Sequence, residues 1–193
     1  MRLGSRLKWS GLKNTNFFSF FLLKPVWKSN ILPIKKNGNL IQGTPCGQST
    51  LNVDNWTTSN VWLIHSNMSD NTITFFVNNG SYYRDKTSHA LTDNIWYFVC
   101  GTCNSSSIRI YINGVQSGST GTGINTGTIL NNSNSVIQYG KDPRYGLGSG
   151  RFFNSLIGIC YVYNRALSAS EILQNYNSTK GRYGLWVTDT DHE

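Results

Sequence analysis

Glutamate occurs only twice in these 193 residues, as Glu171 and Glu193. The aspartates are Asp54, Asp70, Asp85, Asp93, Asp142, Asp189 and Asp191, and only the last two stand two apart, in the terminal tail. Hydrolysis of a glycosidic bond needs two carboxylates flanking it, so this pattern argues against a glycosidase. Histidine is as scarce (His65, His89, His192), and none has a patterned Ser or Cys neighbour, which removes a nucleophilic triad. No apolar run approaches the roughly 20 residues of a membrane-spanning helix. The best, Phe17 to Leu23, has seven residues, meets Lys24-Pro25 at once and lacks a small-x-small cleavage site, so it reads as a strand rather than a signal peptide. Of four cysteines (Cys46, Cys100, Cys103, Cys160), Cys100 and Cys103 have the C-x2-C spacing of a zinc site. In a strand, an offset of three puts them on opposite faces, so free core thiols are the better reading.

Acidic residues are missing altogether before Asp54, where eight basic ones stand: Arg2, Arg6, Lys8, Lys13, Lys24, Lys28, Lys35 and Lys36. The remaining nine Lys/Arg are matched by nine Asp/Glu, so the net charge of +8 belongs to the N-terminal quarter. Such an arm can dock on an acidic neighbouring subunit, a nucleic acid or an anionic surface. What the chain does have is Asn, Ser, Thr and Gly, a composition for strands joined by many turns. Six N-x-S/T sequons (Asn55, Asn67, Asn79, Asn104, Asn131, Asn177) fall within chance for that composition. The expected organisation is a basic arm over 1–16, one domain over 17–184 and an acidic tail over 185–193.

Within the domain, Phe17 to Leu23 is the first expected strand. Ile31 to Lys36 and Asn39 to Gln42 flank Asn37-Gly38, and Ile73 to Asn78 and Ser81 to Arg84 flank Asn79-Gly80. Ile95 to Thr102 pairs with Ser107 to Ile112, which turns at Asn113-Gly114 into Val115-Gln116. Asn-Gly between short strands signals a type I′ hairpin. With Val61 to Ser66 and Ser135 to Gly140, these strands form an antiparallel meander. Ile108, Ile110 and Ile112 face a core, and Arg109, Tyr111 and Asn113 face a polar or shallowly aromatic surface. Ser117 to Ser135 is low in complexity and mobile by composition. Gly140 to Arg151 is a glycine-rich loop between strands, not the strand-to-helix loop that cradles phosphate.

The most informative stretch is Phe153 to Tyr176, FNSLIGICYVYNRALSASEILQNY. Its first half predicts a strand covered on both faces, Leu156, Gly158, Cys160 and Val162 on one and Ile157, Ile159, Tyr161 and Tyr163 on the other. Then Ser168-Ala169-Ser170-Glu171 has the spacing of a capping box, with Leu167 and Ile172 placed to staple it. Leu173 and Tyr176 continue the apolar stripe of a one- or two-turn helix limited by Gly181. This stretch, with Trp96-Tyr97-Phe98-Val99 and Ile108-Arg109-Ile110-Tyr111-Ile112-Asn113-Gly114-Val115, resembles laminin-G-like domains of the concanavalin A-like lectin/glucanase superfamily. The run from Asn175 through Lys180-Gly181-Arg182-Tyr183-Gly184 looks like the variant common in structural proteins of tailed phages and other aquatic viruses.

The resemblance implies an all-β, two-sheet antiparallel jelly-roll sandwich with one short C-terminal helix. Many members carry an acid where Gly158 stands, and this chain departs from them there. The implied function is a non-catalytic surface module of a virion or phage tail, extracellular or on the particle. It would dock on other structural proteins, with itself as a homo-oligomer, and through Arg2, Arg6, Lys8 and Lys13. The alternative is a lectin-like adhesin for a host glycan. Trp62 and Trp96 read as core, which leaves Tyr82, Tyr83, Arg84, Asp142, Arg144 and Tyr145, beside hairpins and in the glycine-rich loop, as candidate ligand residues. No cofactor is expected. Calcium would have Asp142 as its one acidic ligand, a weak site.

Overall fold

A computed structural model describes residues 28–36, 43–50, 61–67, 70–78, 82–86, 90–104, 106–122, 135–142 and 151–184. The basic arm, the Phe17 to Leu23 segment, Asn39 to Gln42, Arg144, Tyr145 and the acidic tail lie outside these residues. The described strands are β1 (Lys28–Lys35), β2 (Gly43–Thr50), β3 (Val61–Ser66), β4 (Ile73–Asn78), β5 (Tyr82–Lys86) and β6 (Trp96–Cys103). They continue with β7 (Ser107–Ile112), β8 (Val115–Thr122), β9 (Ser135–Tyr139), β10 (Leu156–Ile157) and β11 (Tyr161–Tyr163), before helix α1 (Ala169–Tyr183). Two antiparallel sheets result. Sheet A runs β10-β1-β6-β7-β8, with β11 also on β1, and sheet B runs β5-β4-β3-β2-β9.

The inward faces meet in one apolar layer. Leu32 and Ile34 of β1, Val99 and Cys103 of β6, and Ile108 and Ile110 of β7 pack against Cys46 of β2, Trp62 and Ile64 of β3, and Ile73, Phe75 and Val77 of β4. Trp62 is fully buried and its indole N–H donates to Gln48 Oε1 at 2.8 Å, so the ring's one polar atom is satisfied. Gly101 faces Phe75 so closely that a Cβ there would lie 2.5 Å from the ring. The outer face of sheet A is covered too. Ile31, Phe98, Cys100 and Tyr111 pack under Leu167, Ile172 and Tyr176 of the helical segment. Tyr111 is therefore buried at 5 % exposure, against the expectation of an open aromatic surface. The same arrangement puts Cys100 under the helix and Cys103 in the inter-sheet core. All four cysteines are free thiols.

Two of the three Asn-Gly signals bear on pairing as expected. β7 and β8 pair with Ile112 opposite Val115 around Asn113 (φ 51°) and Gly114 (φ 84°), the left-handed pair of a type I′ turn. β4 pairs β5 with Asn78 opposite Tyr82. The third fails. β1 pairs β6, β10 and β11 while β2 pairs β3 and β9, so the strands on either side of Asn37-Gly38 lie in different sheets. Hydrophobic alternation makes two strands compatible but does not choose their partner. Ser117 to Thr122, expected to begin a mobile stretch, instead continue β8 opposite β7.

The closing stretch is the largest correction. It is not a strand covered on both faces but an interrupted edge. β11 pairs the first half of β1 and β10 the second, with residues 158–160 between them. Leu156, Ile159 and Tyr161 are 54 %, 37 % and 43 % exposed. The interruption faces Pro33. Gly158 N–H donates to the Pro33 carbonyl at 2.7 Å. In an antiparallel strand a residue's N–H and C=O point to the same side. The donor that proline lacks is therefore missing from this edge, not from the ladder with β6. Helix α1 differs in length, with 15 residues running through Gly181 to Gly184 in the left-handed conformation (φ 61°). Its start is as expected. Glu171 N–H donates to Ser168 Oγ at 3.3 Å, Ser168 N–H donates to Glu171 Oε2 at 2.9 Å, and Leu167 and Ile172 are buried. Its end is held because Tyr183 packs on Trp96, ring centroids 5.0 Å apart, an anchor that offsets the glycine. Leu173, expected in the apolar stripe, is 44 % exposed.

Candidate functional site

Sheet B ends at β9 and sheet A ends at β10 and β11, and the two edges face one another across an open side of the sandwich. Tyr139 and Gly140 from the first edge and Ile157, Gly158 and Cys160 from the second line a cleft of about 430 Å³. Tyr139 is held opposite Cys46 by the β2–β9 ladder. Because it lies on an edge strand its ring stays 55 % exposed. Gly140 then turns the chain with φ 72°, a conformation a β-carbon disfavours. The turn is tied down by Gly140 N–H to the Pro45 carbonyl at 2.9 Å and Phe153 N–H to the Gly140 carbonyl at 2.8 Å. Beyond it Lys141 pairs with Phe152 in an isolated bridge, with the ammonium 5.4 Å from the ring centroid. Phe152 is half exposed, so a second ring stands beside the turn.

The chemistry of this cleft is apolar with hydrogen-bonding groups at hand. Burial, chiefly, raises the Tyr139 hydroxyl above its usual range, and the neighbouring thiols of Cys160 and Cys46 add to this. The phenol is therefore a donor at neutral pH. No carboxylate is among the described lining residues. Gly158 is closed to any side chain, since a Cβ there would lie 2.8 Å from the Tyr183 hydroxyl, and that hydroxyl accepts the Ile159 N–H at 3.1 Å. The Tyr183 ring thus stands against the position where the resemblance suggests an acid. Glu171 is bound elsewhere. Arg165 grips both its oxygens at 2.6 and 2.9 Å and, with the Ser168 cap, holds its pKa down to about 2. A carboxyl so strongly ionised is no general acid.

Of the residues expected from sequence, the described ones, Tyr82, Tyr83 and Arg84 on one side and Asp142 on the other, are not brought together. Tyr82, Tyr83 and Arg84 lie on β5, one edge of sheet B, while Asp142 follows β9 at the other edge. Four inter-strand spacings, about 19 Å, separate those edges. Register also sets Tyr82 toward the end of the sheet away from Asp142. Tyr82 stands opposite Asn78, whereas Tyr139 stands in the row of Cys46, Ile64, Phe75 and Asp85. Asp142 is fully buried, its N–H donating to the Arg151 carbonyl at 3.3 Å. No cluster of three or more His, Cys, Asp or Glu that could hold a metal ion occurs among the described residues. Tyr139 is not singled out by the sequence, where it is one more aromatic at a strand end. Its pairing with Gly140 at the start of a glycine-rich loop is the available signal.

Two stacked antiparallel sheets with a lined opening between their edges and a helix on one outer face define a lectin-like jelly-roll module. The family model for the concanavalin A-like lectin/glucanases superfamily matches residues 41–173, and the chain belongs to that superfamily. Among solved structures, the native heptameric SAP-like pentraxin from Limulus polyphemus is similar over 77 % of this chain and 68 % of its own, at 19 % identity and TM-score 0.58. Domain 4 of an extracellular arabinanase from Geobacillus stearothermophilus, solved with arabinotriose, is similar over 79 % and 68 %, at 18 % identity and TM-score 0.59. A sialidase carbohydrate-binding module from Ruminococcus gnavus, bound to α2,3-sialyllactose, is similar over 78 % and 82 %, at 12 % identity and TM-score 0.63. At these identities the likeness is one of fold. No curated protein matches the sequence significantly. No described helix is long and apolar enough to cross a membrane.

Proposed function

We propose that this chain is a glycan-binding module that holds its ligand without transforming it. The observation that carries the reading is the exposed Tyr139 ring at the mouth of the cleft between the two sheet edges. A pyranose stacked on that face gains apolar contact while its hydroxyls reach the phenol and the backbone at Gly140 and Gly158. Membership of a lectin-bearing superfamily supports this, as do fold neighbours solved with arabinotriose and sialyllactose. The test is a glycan array on the full chain with and without calcium, followed by titration of the best hit. Tyr139→Ala should weaken binding about tenfold. Unchanged affinity in Tyr139→Ala with loss in Tyr82→Ala, Tyr83→Ala or Tyr145→Ala would move the site to the loops. Loss in Asp142→Asn only when calcium is present would place a cation there. No binding to any glycan refutes the reading.

A second reading, compatible with the first, is docking into a larger extracellular or virion-surface assembly through the basic arm. Its support is the charge of that arm, with Arg2, Arg6, Lys8 and Lys13 and no acidic residue in positions 1–16. Removing residues 1–16 should leave the domain folded and lower incorporation into the assembly. Full incorporation without them refutes the docking role.

A further inference from the structure

At the inner end of the same opening, Cys46 and Cys160 stand with their sulfurs 3.4 Å apart, within hydrogen-bonding reach of one another. They are 114 positions apart in sequence and belong to opposite sheets, Cys46 to β2 of sheet B and Cys160 to the interruption between β10 and β11. Cys46 is completely buried and fixed by ladders on both sides, opposite Ile64 and opposite Tyr139. Cys160 is partly exposed and lines the cleft, so a small reagent can reach it. The two thiols therefore form a fixed partner and an accessible one.

We propose that Cys46 and Cys160 are an oxidisable pair, and that a small-molecule disulfide converts them to a covalent staple joining the two sheets. Bond formation requires the sulfurs to close from 3.4 Å to about 2.05 Å. Rotation of the Cys160 side chain supplies that movement, because residue 160 lies outside both β10 and β11. In the first step the Cys160 thiolate attacks one sulfur of the reagent, forming a mixed disulfide and expelling one thiolate. In the second, Cys46 loses its proton and its sulfur attacks that of Cys160, expelling the other thiolate. Two protein thiols are oxidised, one disulfide is reduced to two thiols, and the two protons go to the leaving thiolates. The order follows from the surroundings. Hydrogen bonds from Cys46 and Tyr139 favour the Cys160 thiolate despite its burial, while the bond to Cys160 and burial keep Cys46 protonated. Cys100 and Cys103 lie on opposite faces of β6, one under the helix and one in the inter-sheet core, so they do not face one another.

The experiment treats the full chain with oxidised glutathione and follows intact mass, non-reducing peptide maps and melting temperature. The expected result is a loss of about 2 Da, a Cys46–Cys160 cross-linked peptide pair, and a melting temperature raised by about 10 °C that dithiothreitol reverses. The pair should still form in Cys100→Ala and be absent in Cys160→Ser. An arrest at a glutathione adduct on Cys160, four thiols still free, or a bond to Cys100 or Cys103 would each overturn the proposal. Each readout is made on the untreated and oxidised forms of one protein, so it stands whether or not a variant folds. None depends on glycan binding.

Discussion

Gly101→Ala probes the contact on which the two sheets depend. A Cβ there would lie 2.5 Å from two carbons of the Phe75 ring and 2.9 Å from a third, whereas ordinary contact begins at 3.4 Å. The ring must retreat by roughly 1 Å, and it is fully buried among the side chains of both sheets. Overpacking of this kind costs about 1–3 kcal/mol. Restricting glycine's freedom in the unfolded chain returns about 0.5 kcal/mol. The net destabilisation is then about 0.5–2.5 kcal/mol, which for a chain of this size lowers the melting temperature by about 1–10 °C. Urea melts of the wild type, Gly101→Ala, Phe75→Leu and the double variant close a cycle. The alanine should cost at least about 1 kcal/mol less once the ring is gone. A neutral Gly101→Ala, or an equal cost in both backgrounds, would refute the claim that this glycine exists to admit Phe75.

Gly181 lies inside α1, and a β-carbon added there would meet nothing within 4 Å, so Gly181→Ala should stabilise by about 0.5–1 kcal/mol, read as a higher thermal midpoint; a decrease would show that the helix needs flexibility there. Glu171 has its folded pKa depressed from the usual 4.5 to about 2, so its contribution is fully present above pH 4.5 and is lost as pH falls through about 2. Melting curves across that range should decline less steeply in Glu171→Gln, and parallel curves would remove the Arg165 and Ser168 contacts from the account.

Local signals were the legible ones. The capping box at Ser168 and Glu171, the Asn113-Gly114 turn and the strand spans of β3, β4 and β7 depend on residues a few positions apart, and each is where the sequence placed it. What could not be read was partner choice over long separations. β1 and β2 are separated in sequence by only a short connection yet join different sheets, since alternation is equally satisfied by either neighbour. The break at 158–160 originates in Pro33, more than a hundred residues earlier. The cleft was unreadable for the same reason. Tyr139, Ile157 and Cys160 acquire a common role only when two sheet edges are brought face to face, whereas Tyr82 and Asp142 looked alike in composition and ended at opposite corners.

The divided strip of β10 and β11 bears on how these molecules behave when crowded. A long, flat outer strand would present a continuous row of amides on which a neighbour could grow a fibril. Two pieces of two and three residues, parted opposite a proline, give an intruding chain no ladder long enough to hold it. A copy that meets this flank therefore touches it through side chains and not through a shared ladder.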